Sequence, residues 1–224
     1  VKRSLTTVAC ATLLAACATL SGCSSAPTRF YTLTSRAASN DAQSATTAGD
    51  AASVAVTAVT IPGTLERPQL VLFLDGGRME LFEEARWGEP LAHGIARTLA
   101  EDLASRLQIA AVAAYPEDAS ARARYRISVD FVHLDAGTHG DVTLDAIWTI
   151  RDGYVAPVVT ATGDAPPVAV RTTDRSKTGH VHLVIPGGSG SAGGAEASVA
   201  AQSDALALLA DQLALAYRAF QSAP

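Results

Sequence analysis

Two incompatible periodicities run through this chain, and together they constrain its fold more than any single motif does. Tyr125, Ile127, Val129 and Phe131 alternate with Arg126, Ser128 and Asp130. Val142, Leu144, Ala146, Trp148 and Ile150 alternate in the same way with Thr143, Asp145 and Thr149. A period of two puts every apolar side chain on one face of a strand, so both segments read as half-buried strands. Elsewhere Leu91, Ile95, Leu99, Leu103 and Leu107 recur every fourth residue. That spacing draws one apolar stripe along a helix over 89–108, with Arg97, Glu101, Asp102 and Arg106 expected on its solvated side. Val199, Leu206, Leu209, Leu213, Tyr217 and Phe220 predict a second helix over 196–220. A helical pattern does not settle into a strand, so the chain must build both kinds of layer.

The remaining elements fall between these. Val54 to Ile61 is rich in β-branched residues and closes at Pro62, which predicts a strand. Leu70 to Leu74 and Arg78 to Phe82 flank Asp75-Gly76-Gly77. A glycine there supplies the positive φ of a tight turn, so the pair predicts a hairpin. A short strand is expected over 109–114, and Asp152-Gly153 predicts a turn into a strand over 154–162. Segments 168–171 and 181–185 are weaker strand candidates. The order is strand, hairpin, helix, antiparallel strands, helix. It predicts an α+β fold, a mainly antiparallel sheet with two long helices packed on one face.

The first residues belong to a different kind of segment. Lys2 and Arg3 precede an uncharged, mostly apolar run from Ser4 to Leu20, and Leu20-Ser21-Gly22-Cys23 then reads as a lipobox. Such a stretch is too short and wrongly flanked for a stable span, so it reads as a processed signal. Small residues ahead of the cysteine let a peptidase groove accept the backbone once the thiol carries diacylglycerol. Leu14-Ala15-Ala16-Cys17 fits the pattern more loosely, leaving a shorter apolar run and Ala18-Thr19-Leu20 on the product. The expected organisation is a signal at 1–22, a lipid-anchored tether and linker at 23–53, and one α+β domain at 54–224. Ala37 to Ser53 and the Pro186 to Gly194 stretch hold no bulky apolar residue, which leaves about 140–150 residues for a single core.

All three cysteines lie within the first 23 residues, which excludes a disulfide framework or cysteine-based metal site in the body. The formal net charge is -5, and no basic stripe interleaved with aromatics appears, so no nucleic acid partner is expected. Gly188, Gly190 and Gly193 match a dinucleotide-binding spacing, but the chain ends within the following helix, without the second strand such a site needs. His180 and His182 share a strand face, and His133, His139 and Asp141 lie near a turn. Neither group matches a ligand spacing, so no metal and no cofactor are expected. Ser189 lacks the flanking pattern of a nucleophile elbow, so no catalytic residue and no enzyme activity are expected.

Two segments are less bland. Pro62 and Pro68 bracket a short loop containing Leu65 and ending at Gln69, and Trp87 stands just before the helix whose first turn holds Pro90. Leu65, apolar on a proline-flanked loop, is expected to be exposed. Trp87 either fastens the helix start to the sheet or offers an aromatic to a partner. If the helix packs on its preceding hairpin, loop and tryptophan share one edge.

These segments resemble the ABC-type transport auxiliary lipoprotein family of the PqiC type. The pattern comprises the lipid-bearing Cys23, the Tyr31-Thr32-Leu33 motif, the loop with Pro62, Leu65, Pro68 and Gln69, and the helix start with Trp87, Pro90 and Leu91. It covers Cys23 to about Ile150 well and departs over 165–194. The resemblance implies a non-enzymatic outer-membrane lipoprotein on the periplasmic face, supporting membrane integrity as part of an envelope lipid-transport system. Its partner would be a mammalian-cell-entry type transporter subunit that bridges the periplasm, met through Pro62, Leu65, Pro68, Gln69 and Trp87. Ser24, where aspartate would retain the protein, permits export to the outer membrane. Homo-oligomerisation stays open. The alternative is a periplasmic lipoprotein that itself binds a lipid or other apolar ligand in a pocket between helices and sheet.

Overall fold

The computed structural model describes residues 27–37, 54–109, 112–117, 120, 123–137, 139–153, 174–187 and 194–222. The lipobox and Cys23, the strand candidates at 154–162 and 168–171, and the Gly188–Gly193 motif lie outside them.

Among the described residues, strands β1 (Arg29–Tyr31), β2 (Val54–Thr60), β3 (Gln69–Leu74), β4 (Arg78–Trp87), β5 (Ala113–Ala114), β6 (Tyr125–Ala136), β7 (Val142–Gly153) and β8 (Asp174–Ile185) form two sheets. Helices α1 (Leu91–Leu107) and α2 (Ala195–Ser222) complete the α+β fold. The larger sheet has the order β5-β2-β6-β7-β8 and the smaller β1-β4-β3. The long pairings, β6 with β7 and β7 with β8, are antiparallel, as is the β3–β4 hairpin. β2 runs parallel to β5 and β6, and β1 parallel to β4.

The alternations and stripes of the sequence meet in one core. Ile127, Val129, Leu144 and Ile150 on the sheet, Ile95, Leu99 and Leu103 on α1, and Leu206, Leu209 and Leu213 on α2 are fully enclosed. Tyr125 receives the Tyr217 ring edge-on at 5.1 Å, closing the end of α2 onto β6. Burial pushes the Tyr217 hydroxyl up to about 12. The hairpin turn falls at Asp75–Gly77, with Gly76 at φ 76°.

Three expectations are corrected. Asp152-Gly153 does not turn the chain: both residues continue β7 and pair with Arg175 and Asp174. The Asp152 carboxylate stays on the inward face because Arg124 donates to it at 3.0 and 3.2 Å. Asp102 is not on a solvated face but wholly buried. The chain at Leu33–Arg36 covers it, Ser35 Oγ and the Arg36 amide donating to Asp102 Oδ1 at 2.8 and 3.0 Å. Packed structure therefore reaches back to Arg29, inside the segment expected to be tether, and Leu33 is a core residue.

Candidate functional site

The loop between β2 and β3 and the corner between β4 and α1 face each other across a cleft of about 570 Å³. Its floor is made of Ile61, Trp87 and Leu91, all buried. Glu66, Arg67 and Pro68 form one wall, and Glu89, Pro90, Ala92 and His93 the other.

Local chemistry explains why the two walls meet. After Pro62, residues Gly63–Leu65 make a single tight turn, the Leu65 amide donating to the Pro62 carbonyl at 2.8 Å. That turn swings Leu65 inward, where it is 5% exposed and packs in the core. The expectation of an exposed Leu65 is therefore wrong. A one-turn loop with its polar groups satisfied internally can bury an apolar side chain at little cost. The Trp87 amide then donates to the Pro68 carbonyl at 2.7 Å, and the Gly88 amide to the Tyr31 carbonyl at 2.8 Å. These bonds pin loop, β1 and the end of β4 together. Pro90 caps α1, its carbonyl accepting from the amides of His93 and Gly94 at 2.9 and 3.1 Å, and its missing N–H costs nothing there.

Of the five residues expected at a partner surface, Pro68 and Trp87 line the cleft. Pro62 is half-buried beside the lining residue Ile61, Leu65 lies beneath the loop, and Gln69 opens β3 opposite Arg86. Trp87, 9% exposed, both fastens the helix start and floors the cleft. His93, Ala92 and Arg67 were not picked out from sequence. Nothing in their spacing marks them, because they meet only once the loop folds over the helix start.

The walls are electrostatically settled. Glu89 Oε1 accepts from Arg97 Nη2 at 2.8 Å and Nε at 3.2 Å, and Arg97 Nη2 also donates to the Leu33 carbonyl at 3.0 Å. Burial pulls the Arg97 guanidinium down, but its bonds to Glu89 and Glu101 outweigh that and hold it above its ordinary value. The His93 ring meets Tyr115 edge-on at 5.6 Å beside the cleft. An apolar floor between two walls that carry fixed polar groups suits the seating of a side chain or short segment. Nothing in the arrangement pairs a nucleophile with a base.

The histidine pair lies elsewhere, on the outer face of the larger sheet. Asp145 accepts from His180 Nε2 at 2.6 Å and contacts His182 Nδ1 at 3.3 Å. Its bond to His180 holds the Asp145 carboxyl below the usual range. Among the described residues no group of three or more potential ligands is arranged to hold a metal ion.

A family model described as ABC-type transport auxiliary lipoprotein component matches residues 31–214. No functionally curated protein matches the sequence. Among solved structures, the crystal structure of an uncharacterized protein shares the fold with a TM-score of 0.60 at 14% identity, covering 86% of this chain and 99% of its own. A Xanthomonas campestris protein of the DUF330 family is 17% identical over 83% of this chain and 92% of its own, with a TM-score of 0.45.

Proposed function

Because the chain belongs to the ABC-type transport auxiliary lipoprotein component family, we propose that its cleft docks another subunit of an envelope lipid-transport system. The partner in this reading is a mammalian-cell-entry type subunit that bridges the periplasm. Cys23 carries the lipid, and the chain stands on the periplasmic face of the outer membrane. It contributes attachment rather than chemistry and so supports membrane integrity. The observation that carries the reading is the cleft itself. The two segments that bear the family resemblance, the Pro62–Gln69 loop and the Trp87–Leu91 corner, fold into opposite walls of one concave surface.

The test is co-purification of the bridging subunit with the full-length lipidated chain. Ala92 lies half-buried on the cleft wall at the start of α1, at the edge of the core, so Ala92→Trp fills the cleft and is scored in protein whose thermal melt matches wild type. Docking should weaken at least about tenfold, equivalent to about 1.4 kcal/mol. Retained docking with a filled cleft would refute the assignment.

A volume of about 570 Å³ also lies in the range of small-ligand sites. In the alternative reading, the cleft itself holds an apolar ligand. Native mass spectrometry decides between them: a bound lipid lost in Ala92→Trp favours the alternative.

A further inference from the structure

We propose that the tip of the β3–β4 hairpin is a second membrane contact, seated in the headgroup region of the bilayer that holds the lipid anchor. This rests on the reading of Cys23 as the lipidated residue. β1 runs parallel to β4, with Arg29 beside Ala85 and Tyr31 beside Trp87. Followed backward from Arg29, the chain therefore heads along β4 toward the hairpin turn and away from the cleft. Cys23 precedes Arg29 by six residues (29 − 23), which is at most about 20 Å of extended chain. Met79 precedes Ala85 by the same six (85 − 79), at most about 20 Å along a strand that the bulge opposite Gln69 and Leu70 shortens. The tether is thus long enough for the acylated cysteine to lie level with the hairpin tip.

What the hairpin presents at that level suits a lipid interface. Val71 stands opposite Leu81 and Phe73 opposite Met79, so the four share one face of the ribbon; Val71 and Phe73 pack on the core, and Met79 and Leu81 are the pair left open to a membrane. Met79 is 46% and Leu81 37% exposed. Arg78 and Glu80 occupy the other face of the ribbon, and Glu83 and Glu84 sit nearer the body. An apolar strip at the end of a ribbon permits shallow insertion while the charged residues stay in water. The diacylglycerol on Cys23 holds the chain at the bilayer but leaves its orientation free, and an apolar contact at the tip fixes that orientation. β4 then separates two ends of the domain. Met79 lies eight residues (87 − 79) from Trp87, at most about 25 Å along the bulged strand, so tip and cleft stand at opposite ends of β4.

The cysteine inventory makes the test clean. All three cysteines lie within the first 23 residues, so the processed chain carries only Cys23, whose thiol the lipid consumes. A single Leu81→Cys, labelled with an environment-sensitive nitrobenzoxadiazole, then reports on the tip of the full lipidated chain. Met79→Cys serves if the first variant fails to fold, and Leu215→Cys, on the outer side of α2, is the reference. The probe membrane is a vesicle of phosphatidylethanolamine and phosphatidylglycerol with nitroxide-bearing lipids. Quenching at position 81 should exceed that at 215 by about threefold or more. Equal quenching, with mass spectrometry finding the acyl groups on Cys23, overturns the hairpin placement and leaves the anchor standing. Acyl groups on Cys17 overturn the anchor and the length argument together. In cells, protection of position 81 from a thiol reagent only when other transport subunits are present would assign the tip to a protein partner and overturn the proposal.

Discussion

Asp102 is the most informative single residue to perturb, because it ties the N-terminal strap to both helices. Its Oδ1 accepts from Ser35 Oγ at 2.8 Å, the Arg36 amide at 3.0 Å and Arg106 Nη1 at 3.1 Å, while the residue itself is 0% exposed. Arg106 also donates through Nη2 to the Ala207 carbonyl at 3.0 Å and meets Asp211 on α2. Arg36 in turn pairs with Asp204 at 2.7 Å. Each bond to a charged acceptor contributes roughly 1.5–3 kcal/mol, but the three share one oxygen and do not simply add. Removing one partner of a buried ion pair costs about 3–5 kcal/mol. Arg106 keeps Asp211 and Ala207, so the lower end of that range, about 3 kcal/mol, is expected for Asp102→Ala. For a domain of this size that corresponds to a fall in Tm of about 6–12 °C. Asp102→Asn keeps an acceptor for Ser35 and Arg36 and should cost about half as much. Urea denaturation gives the free energies, and amide exchange at Arg36 shows whether the strap lifts. An Asp102→Ala protein within about 0.5 kcal/mol of wild type, with Arg36 still protected, would refute the strap's role in stability.

Leu65→Asp places a charge in the core and should unfold the domain or lower its stability by more than about 3 kcal/mol, measured by thermal melt. Its effect on docking would then say nothing about a contact surface. Gly179 lies across from Trp148, and a Cβ there would stand 2.2 Å from the indole Cζ2. Gly179→Ala should therefore displace the ring and cost about 1–3 kcal/mol, read by urea denaturation and tryptophan fluorescence. Burial raises the Tyr217 hydroxyl from its ordinary 10.0 to about 12 in the folded protein, so the stability it lends is complete below pH 10 and is lost as pH rises toward 12. Tyr217→Phe should flatten that alkaline decline in a stability–pH profile.

The helices and the long strands were legible because one face of each is buried, and burial on one face writes its period into the sequence. Leu91 through Leu103 and Tyr125 through Phe131 report their surroundings directly. Asp102 did not, since a buried carboxylate looks like a surface one until the chain that satisfies it is known. That chain, Leu33–Arg36, has too few residues to show any period. Asp152-Gly153 misled for the same reason: its turn chemistry is overridden by Arg124, twenty-eight residues earlier in sequence. Leu65 misled because two prolines suggested an open loop, whereas the backbone bonds from Pro62 to Arg67 close it into a turn. The cleft was legible as a neighbourhood, loop beside Trp87, but not as a shape. His93 and Ala92 enter it only through the angle at which α1 leaves Pro90.

Site-specific crosslinking in intact cells tests the central claim most directly. A photoactivatable amino acid at Arg67, exposed on the cleft wall, is compared with the same group at Leu215 on the outer side of α2. Docking through the cleft predicts a covalent adduct with the periplasm-bridging subunit from position 67, none from 215, and loss of the adduct in Ala92→Trp. An adduct from 215 and none from 67, in a protein that is processed and folded, would contradict it.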